Sequence, residues 1–338
     1  MASVSYFSNF FYSQLFVTVP KPTTSFKDRI VIVTGGNIGL GLETARTIAS
    51  LGAAKVVISS RSTSKGEAAR ADILETTKRE PAAVEVWPLD LCSFDSVRAF
   101  ALRAKSLPRL DALVCNAGIA TNIFKLAEGH ESSITTNVIS TFLLSFLLFP
   151  LLKETATRTS SLSHLVIVSS EVHFFTQLAE RKKDPNLPIF DILRSKENSD
   201  MQDRYNVSKL LDLLVVRELC TPPDGPASGT YPVVISAPHP GLCASTLRRD
   251  PQEGPFLARW GVYLVERALQ RTSEHGARNF VICASADEKY HGQYVSDGVP
   301  RDPSPFVLSN EGKEVQKAVW EELKNILEEI EPGVTMNI

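Results

Sequence analysis

Apolar, β-branched runs alternate with segments of helical spacing along most of the chain, and this alternation constrains the fold more than any other feature. The strand-like runs are "RIVIVTG", "KVVISS", "AVEVWPLDL", "DALVCNAG", "HLVIVSS" and "YPVVISAPHPG". Between them stand "LGLETARTIASLG", "SKGEAARADILETTKRE", "SFDSVRAFALRAKSL", "SSITTNVISTFLLSFLLFPLLKE" and a helix that contains "YNVSK". A strand that is apolar throughout needs cover on both faces, and right-handed strand–helix–strand crossovers supply it. The expected fold is therefore α/β, a doubly wound, Rossmann-type parallel sheet with helices on both faces, forming a single domain over residues 1–338.

Composition removes several classes of function. A formal net charge of −2 offers no broad basic surface, so no nucleic-acid partner is expected. Cys92, Cys115, Cys220, Cys243 and Cys283 are scattered and show no C-x-x-C spacing. They read as reduced thiols of a cytoplasmic protein, not as a disulfide frame or a metal site. The most apolar run, Val138 to Leu152, is too short to span a bilayer and is interrupted by Ser140, Thr141, Ser145 and Pro150. It reads as a buried or subunit-facing helix. Residues 1–25 form an aromatic-rich extension without a basic leader or cleavage pattern, expected as a short helix packed on the body, with membrane-surface contact as the alternative. Residues 310–331 carry Val315, Val319, Leu323, Ile326, Leu327 and Ile330 at helical spacing, an amphipathic helix that docks on the body. "GQYVSDG" is a candidate last strand.

The turn "GGNIGLG" follows the first strand and opens the first helix, with Gly35, Gly39 and Gly41 spaced G-x-x-x-G-x-G and Asn37, Ile38 and Leu40 between them. Such a turn bends tightly and brings backbone N–H groups to a pyrophosphate at a positive helix end. An acidic residue at the end of the second strand would accept a ribose 2′-hydroxyl and repel a 2′-phosphate. This chain has Ser59, Ser60 and Arg61 there, which favours NADP(H) over NAD(H). Asp90 and Leu91 end the third strand, where an adenine would lie, and Asn116, Ala117 and Gly118 leave room for the adenosine ribose after the fourth.

Tyr205 and Lys209 are four residues apart on one helix, so they share a face. Taken with "TGGNIGLG", "LDL", "CNAG", "TTN", "VSS", "YNVSK" and "HPG" in that order, the chain resembles the short-chain dehydrogenase/reductase family from about Phe26 to Ser245. The "RSTSKGEAA" stretch and the long gap before Tyr205 look like its retinol-dehydrogenase-like branch, and both ends of the chain are similar to fungal members of secondary-metabolite pathways. The resemblance implies catalytic roles for Asn137, Ser170, Tyr205 and Lys209, with Tyr205 and Lys209 also touching the cofactor. Ser170 would polarise the substrate, Tyr205 would pass the proton, and Asn137 would belong to a proton relay. A tyrosine of ordinary pKa, about 10, is too weak an acid for this work, and a neighbouring ammonium lowers the value. Pro240 and Gly241 would turn over the nicotinamide, with Ser245 or Thr246 on its carboxamide. His173, His239 and Glu171 are not required by that mechanism.

Residues 173–204 form an insert expected beside the nicotinamide end, with Phe174, Phe175, Leu187, Ile189 and Phe190 as apolar walls, and Phe256, Trp260 and Tyr263 as a second wall. These aromatics imply a small-molecule partner, a bulky apolar carbonyl or alcohol. The expected function is an NADP(H)-dependent oxidoreductase. Its rivals are an NAD-linked alcohol dehydrogenase and a redox-inert dinucleotide-binding protein that serves as sensor or cyclisation template. The Asn137 and Tyr205 helices are those through which many family members pair, so a homodimer is an expectation, with a monomer if the insert or the N-terminal segment covers them.

Overall fold

Strands β1 (Ile30–Val33), β2 (Lys55–Ser60), β3 (Val84–Pro88), β4 (Ala112–Cys115), β7 (Ser163–Ile167), β8 (Val233–Pro238), β9 (Gln293–Ser296) and β10 (Val299–Arg301) join in one sheet. Strands β5 (Leu126–Ala127) and β6 (His130–Glu131) form a separate small hairpin. The structure, a computed structural model, describes residues 4–221, 232–243, 247 and 269–338. Ser245, Thr246, Phe256, Trp260 and Tyr263 lie outside the described residues.

The strand order is β10-β9-β8-β7-β4-β1-β2-β3, parallel throughout except for β10 against β9. Alternate residues of β1 explain its uninterrupted apolar sequence. Ile30 and Ile32 join one core layer, whereas Val31 and Val33 join the other. Helices α2 (Gly39–Ser50) and α3 (Thr63–Thr77) contribute Ala45, Ile48, Ala69 and Ile73 to the second layer. Helix α4 (Phe94–Ala104) contributes Val97 and Phe100 to the first. The candidate last strand is present as β9, and the chain then returns through Asp297 and Gly298, both at positive φ (53° and 81°), to form β10. That Asp-Gly pair is the local signal for a tight hairpin.

The apolar helix is longer than the run Val138–Leu152. It comprises α5 (Ser132–Ile134), a π turn (Thr135–Ile139) and α6 (Ser140–Thr159). By length and composition it could cross a membrane, yet 94% of its most apolar window is buried inside the molecule. Part of that cover comes from the C-terminal region, where α10 (Pro305–Leu308) leads into α11 (Asn310–Ile330). Trp320 meets Phe146 edge-on at 6.0 Å, and Asn337 donates to the Phe146 carbonyl. Helix α11 also packs along α8 (Arg204–Leu219), through Val315, Val319, Leu323 and Leu327.

The insert is ordered by the same helix. Within it, α7 (Ile189–Arg194) directs the N–H groups of Ile189 and Phe190 at the Glu322 carboxylate, 2.9 and 3.0 Å away. Ile189 and Phe190 are consequently core residues (7% and 2% exposed), not walls of a substrate site. The N-terminal extension carries α1 (Val4–Phe16), and α9 (Ser273–Cys283) packs against α2. All five cysteines are free, and burial pushes the thiols of Cys115, Cys220, Cys243 and Cys283 up to about 12.

Candidate active site

β1 runs on to β2 and β3 on one side, while β4 lies on its other side, so a crevice opens where the order reverses. The glycine turn after β1 and the Asn116 turn after β4 flank this crevice and are tied together. Asn116 Nδ2 donates to Thr34 O at 2.9 Å, and the amides of Asn116 and Ala117 both donate to Thr34 Oγ1 at 2.9 Å. Gly41 must be glycine because a Cβ there would lie 2.4 Å from the Gly35 carbonyl. At Gly39, φ is +57°, and an added Cβ would meet nothing within 4 Å, so the turn faces open space. Ile38 caps α2 without any side-chain hydrogen bond, which leaves the first-turn N–H groups available to an anion. Leu40 turns its side chain to the core and brings only its backbone to this cradle. These features fit a dinucleotide.

At the end of β2, Ser59 Oγ accepts from Gly35 N at 3.1 Å and braces the turn. Ser60 is buried and donates to Ser62 O, so it faces inward. Arg61 is exposed, with no hydrogen bond or ion pair among the described residues. A recess nearby is lined by Asn37, Ile38 and Lys65, and Lys65 is a cation that motif reading passed over. Asp90 is partly spent on its own turn, accepting from Cys92 N at 3.0 Å, and Leu91 is 5% exposed in the core.

Lys209 is buried, and its ammonium donates to Val168 O at 2.8 Å and to Asp212 Oδ2 at 2.9 Å. Burial pulls its pKa down, but Asp212 and Tyr205 together more than offset this, so the ammonium persists. Burial lifts Asp212 to about 6 against the pull of Lys209, which leaves the pair ionised near neutrality. Asp212 lies three residues beyond Lys209, a helical spacing that makes it the lysine's counter-ion. Asn137 sits inside the π turn, a helical irregularity common at functional sites. It is 1% exposed, and its amide donates to Ile119 O and Ser208 Oγ, both at 2.9 Å, while accepting from Ile119 N. Its two side-chain donors therefore brace the β4 loop against α8 and are not free to hold water.

Ser170 lies just past β7 on a cavity of about 190 Å³ that is also lined by Phe10, Glu171, Val172, Phe175, Gly241 and Leu242. Of the expected insert walls, Phe175 lines this cavity, whereas Phe174 packs on the core and Leu187 is exposed elsewhere. His173 is fully buried, its Nδ1 on Ser170 O at 2.7 Å and its Nε2 accepting from Ser304 N at 3.1 Å. Burial lowers it to about 4, so it is a neutral brace behind Ser170. His239 is lowered by burial to about 3 and stacks on Tyr294. Although its Nε2 stands 3.9 Å from Glu171 Oε1, a neutral ring makes no ion pair there. Pro240 and Gly241 follow β8, and a Cβ on Gly241 would lie 2.6 Å from Gln14 Oε1 of α1. The wall supplied by Phe10 had no local signal, because the residues that share its cavity, from Ser170 to Leu242, lie far along the chain.

A family model described as short chain dehydrogenase matches residues 29–178. Short chain dehydrogenase/reductase dmxR8 of Cryptosporiopsis sp. is 44% identical over 331 residues, covering 97% of this chain and 99% of that protein. Short chain dehydrogenase atnD of Emericella nidulans is 43% identical over 300 residues, covering 88% and 92%. Among solved structures, a short chain dehydrogenase from Shigella flexneri complexed with NADP is similar at TM-score 0.56 and 21% identity, covering 82% of this chain and 100% of that one. One from Escherichia coli CFT073 complexed with NADPH gives 0.57 and 22%, covering 82% and 99%. At these identities the likeness to solved structures is one of fold.

Proposed function

Because the chain belongs to the short-chain dehydrogenase/reductase family, a family of oxidoreductases, we propose that it is an NADP(H)-dependent enzyme interconverting a carbonyl and an alcohol on a bulky apolar small molecule, in fungal secondary metabolism. The observation that carries this reading is the buried Lys209 ammonium, which lies in electrostatic reach of Tyr205 on the helix whose start adjoins the Ser170 cavity. When bound, the nicotinamide supplies or accepts the hydride at the substrate carbon. Gly35, Gly39 and Gly41 leave the N–H groups of the α2 terminus to hold its pyrophosphate.

Tyr205 moves the proton at the substrate oxygen, giving it in reduction and taking it in oxidation. Lys209 favours the phenolate, and Asp212 keeps Lys209 charged in a buried place. Ser170 Oγ donates a hydrogen bond to the substrate oxygen as negative charge develops there. Asn137 positions the Ser208 turn of α8, and thereby Tyr205, whose carbonyl accepts from Ser208 Oγ at 2.8 Å. NADP is favoured by the absence of an acid after β2, by the cations Arg61 and Lys65, and by the cofactors of the two solved neighbours.

Carbonyl compounds are to be screened with NADPH and with NADH, following absorbance of the reduced nicotinamide. Tyr205→Phe is expected to lose at least about a hundredfold in kcat with NADPH affinity retained. Arg61→Ala is expected to raise the KM for NADPH about tenfold and leave that for NADH unchanged. Full turnover by Tyr205→Phe would remove Tyr205 from the proton step. Absence of any nicotinamide turnover in the parent with cofactor still bound would favour the inert dinucleotide-binding protein, and preference of the parent for NADH would favour the NAD-linked dehydrogenase.

A further inference from the structure

We propose that α1 is a wall of the substrate site, and that Phe10 on it selects ring-bearing apolar carbonyl compounds over small ones. This rests on the oxidoreductase reading above and gives it a substrate class.

Phe10 lines the same cavity as Ser170, together with Val172, Phe175 and Leu242. All four are apolar, and two are flat rings, so a ligand in the Ser170 cavity meets aromatic and aliphatic surface. The helix is held there by specific polar contacts. Gln14, four residues after Phe10 and therefore on the same face, donates to Leu242 O at 3.1 Å and Leu269 O at 3.0 Å, and accepts from Leu242 N at 3.2 Å. One turn of helix thus separates the group that fixes α1 from the ring that bounds the cavity. Ser13 donates to Asp297 Oδ2 at 2.7 Å, and Arg271, 6% exposed, pairs with Asp297 at 2.8 Å while donating to the Ser13 carbonyl. Arg271 also reaches Val17 O at 3.1 Å, so both ends of the last turn of α1 are fixed. Gly241 has no side chain to hold α1 away, and the Cβ it lacks would collide with Gln14. Directional contacts of this kind set the rotation of a helix more narrowly than apolar packing does.

The probes are 2-acetylnaphthalene, a ring-bearing ketone, and acetone. Binding of 2-acetylnaphthalene in the presence of NADP⁺ is read by ligand-observed NMR, and reduction of both ketones is followed with NADPH. Phe10→Ala is expected to weaken 2-acetylnaphthalene binding and raise its KM by about fivefold or more, leaving the KM for acetone and the affinity for NADPH unchanged. Leu15→Ala, on the exposed side of α1 (Leu15 is 54% exposed), is expected to match the parent in all of these. Phe10→Leu replaces Phe10→Ala if the latter loses NADPH binding, and is expected to show the same selectivity to a smaller degree.

Unchanged 2-acetylnaphthalene affinity in the Phe10 variants overturns the proposal while leaving the oxidoreductase reading intact. So does a parent protein that reduces acetone and does not bind 2-acetylnaphthalene. A parent that binds 2-acetylnaphthalene and turns over no carbonyl, with binding still dependent on Phe10, upholds the wall and overturns the oxidoreductase reading.

Discussion

Glu171 follows Ser170 directly, and burial together with Asp297 lifts its carboxyl from the ordinary 4.5 to about 7, against the pull of Arg271. His239 and the Cys243 thiol are further titratable groups near it, and both are neutral. A carboxyl kept this basic beside a cavity is a feature of sites that bind or react, since folding gains nothing from it near neutrality. The folded chain keeps the proton up to about 7, whereas the unfolded chain releases it near 4.5, so stability falls as pH rises through that window. Glu171→Gln is therefore expected to raise the thermal midpoint relative to the parent at pH ~8 and to leave it equal at pH ~4. Calorimetry at the two pH values checks this, and an equal shift at both would contradict it. At this scale contiguous motifs named Ser170, Tyr205 and Lys209, and the fold sets Ser170 on a cavity and Tyr205 within electrostatic reach of Lys209. Asp212 was equally close in sequence but belonged to no motif. The neutrality of His173 comes from burial under a distant loop at Ser304, which nothing near residue 173 encodes.

Arg204 opens α8 and is completely buried between two carboxylates from different elements. Its Nη2 is 3.0 Å from Glu180 Oε1 in the insert, and its Nε is 3.5 Å from Glu131 Oε2 at the end of β6. Glu131 in turn accepts from Ser133 N and Ile134 N, capping the helix that carries the π turn and Asn137. One guanidinium thus links the insert, the Asn137 helix and the Tyr205 helix. Removing it would leave Glu131 and Glu180 buried and uncompensated, so Arg204→Ala is expected to cost about 3–5 kcal/mol, and Arg204→Met to cost nearly as much. Urea unfolding measures both, and a loss below about 1 kcal/mol for Arg204→Ala would show that water reaches the pair. The six alternating strands, β9 and most helices, α11 among them, were readable from apolar periodicity and end signals, whereas β5, β6 and β10 were not. The role of the insert was not, because Ile189 and Phe190 are drawn into the core by Glu322, over a hundred residues away.

Across the whole molecule, α11 and the turn that follows it lie on α8 and α6, the helices that would otherwise be free for subunit pairing. The cover comes from the C-terminus, whereas the insert and the N-terminal segment were the expected sources. Gln316 adds a 2.7 Å hydrogen bond to Glu218 at the edge of this contact. The parent protein is expected to sediment as a monomer, and a chain ending before Asn310 to self-associate, because Val319, Leu323 and Leu327 would no longer shield α8. Sedimentation velocity over a range of concentrations tests both, and a parent dimer would place the subunit contact on another face. The doubly wound parallel sheet was legible from the strand–helix alternation, and both chain ends were expected to dock on the body. Where they dock was not legible, since docking depends on surfaces formed far along the chain. The ties of α1 have a consequence during synthesis. Ser13 must wait for Asp297, 284 residues later, before its hydrogen bond can form. A ribosome therefore releases this helix, with Phe10, Phe11 and Phe16 bare, long before its seat exists, and delayed long-range closure of this kind invites misassembly. A nascent chain stalled short of Asp297 would lack that tie on α1 and so leave the Ser170 cavity open on the side that Phe10 covers.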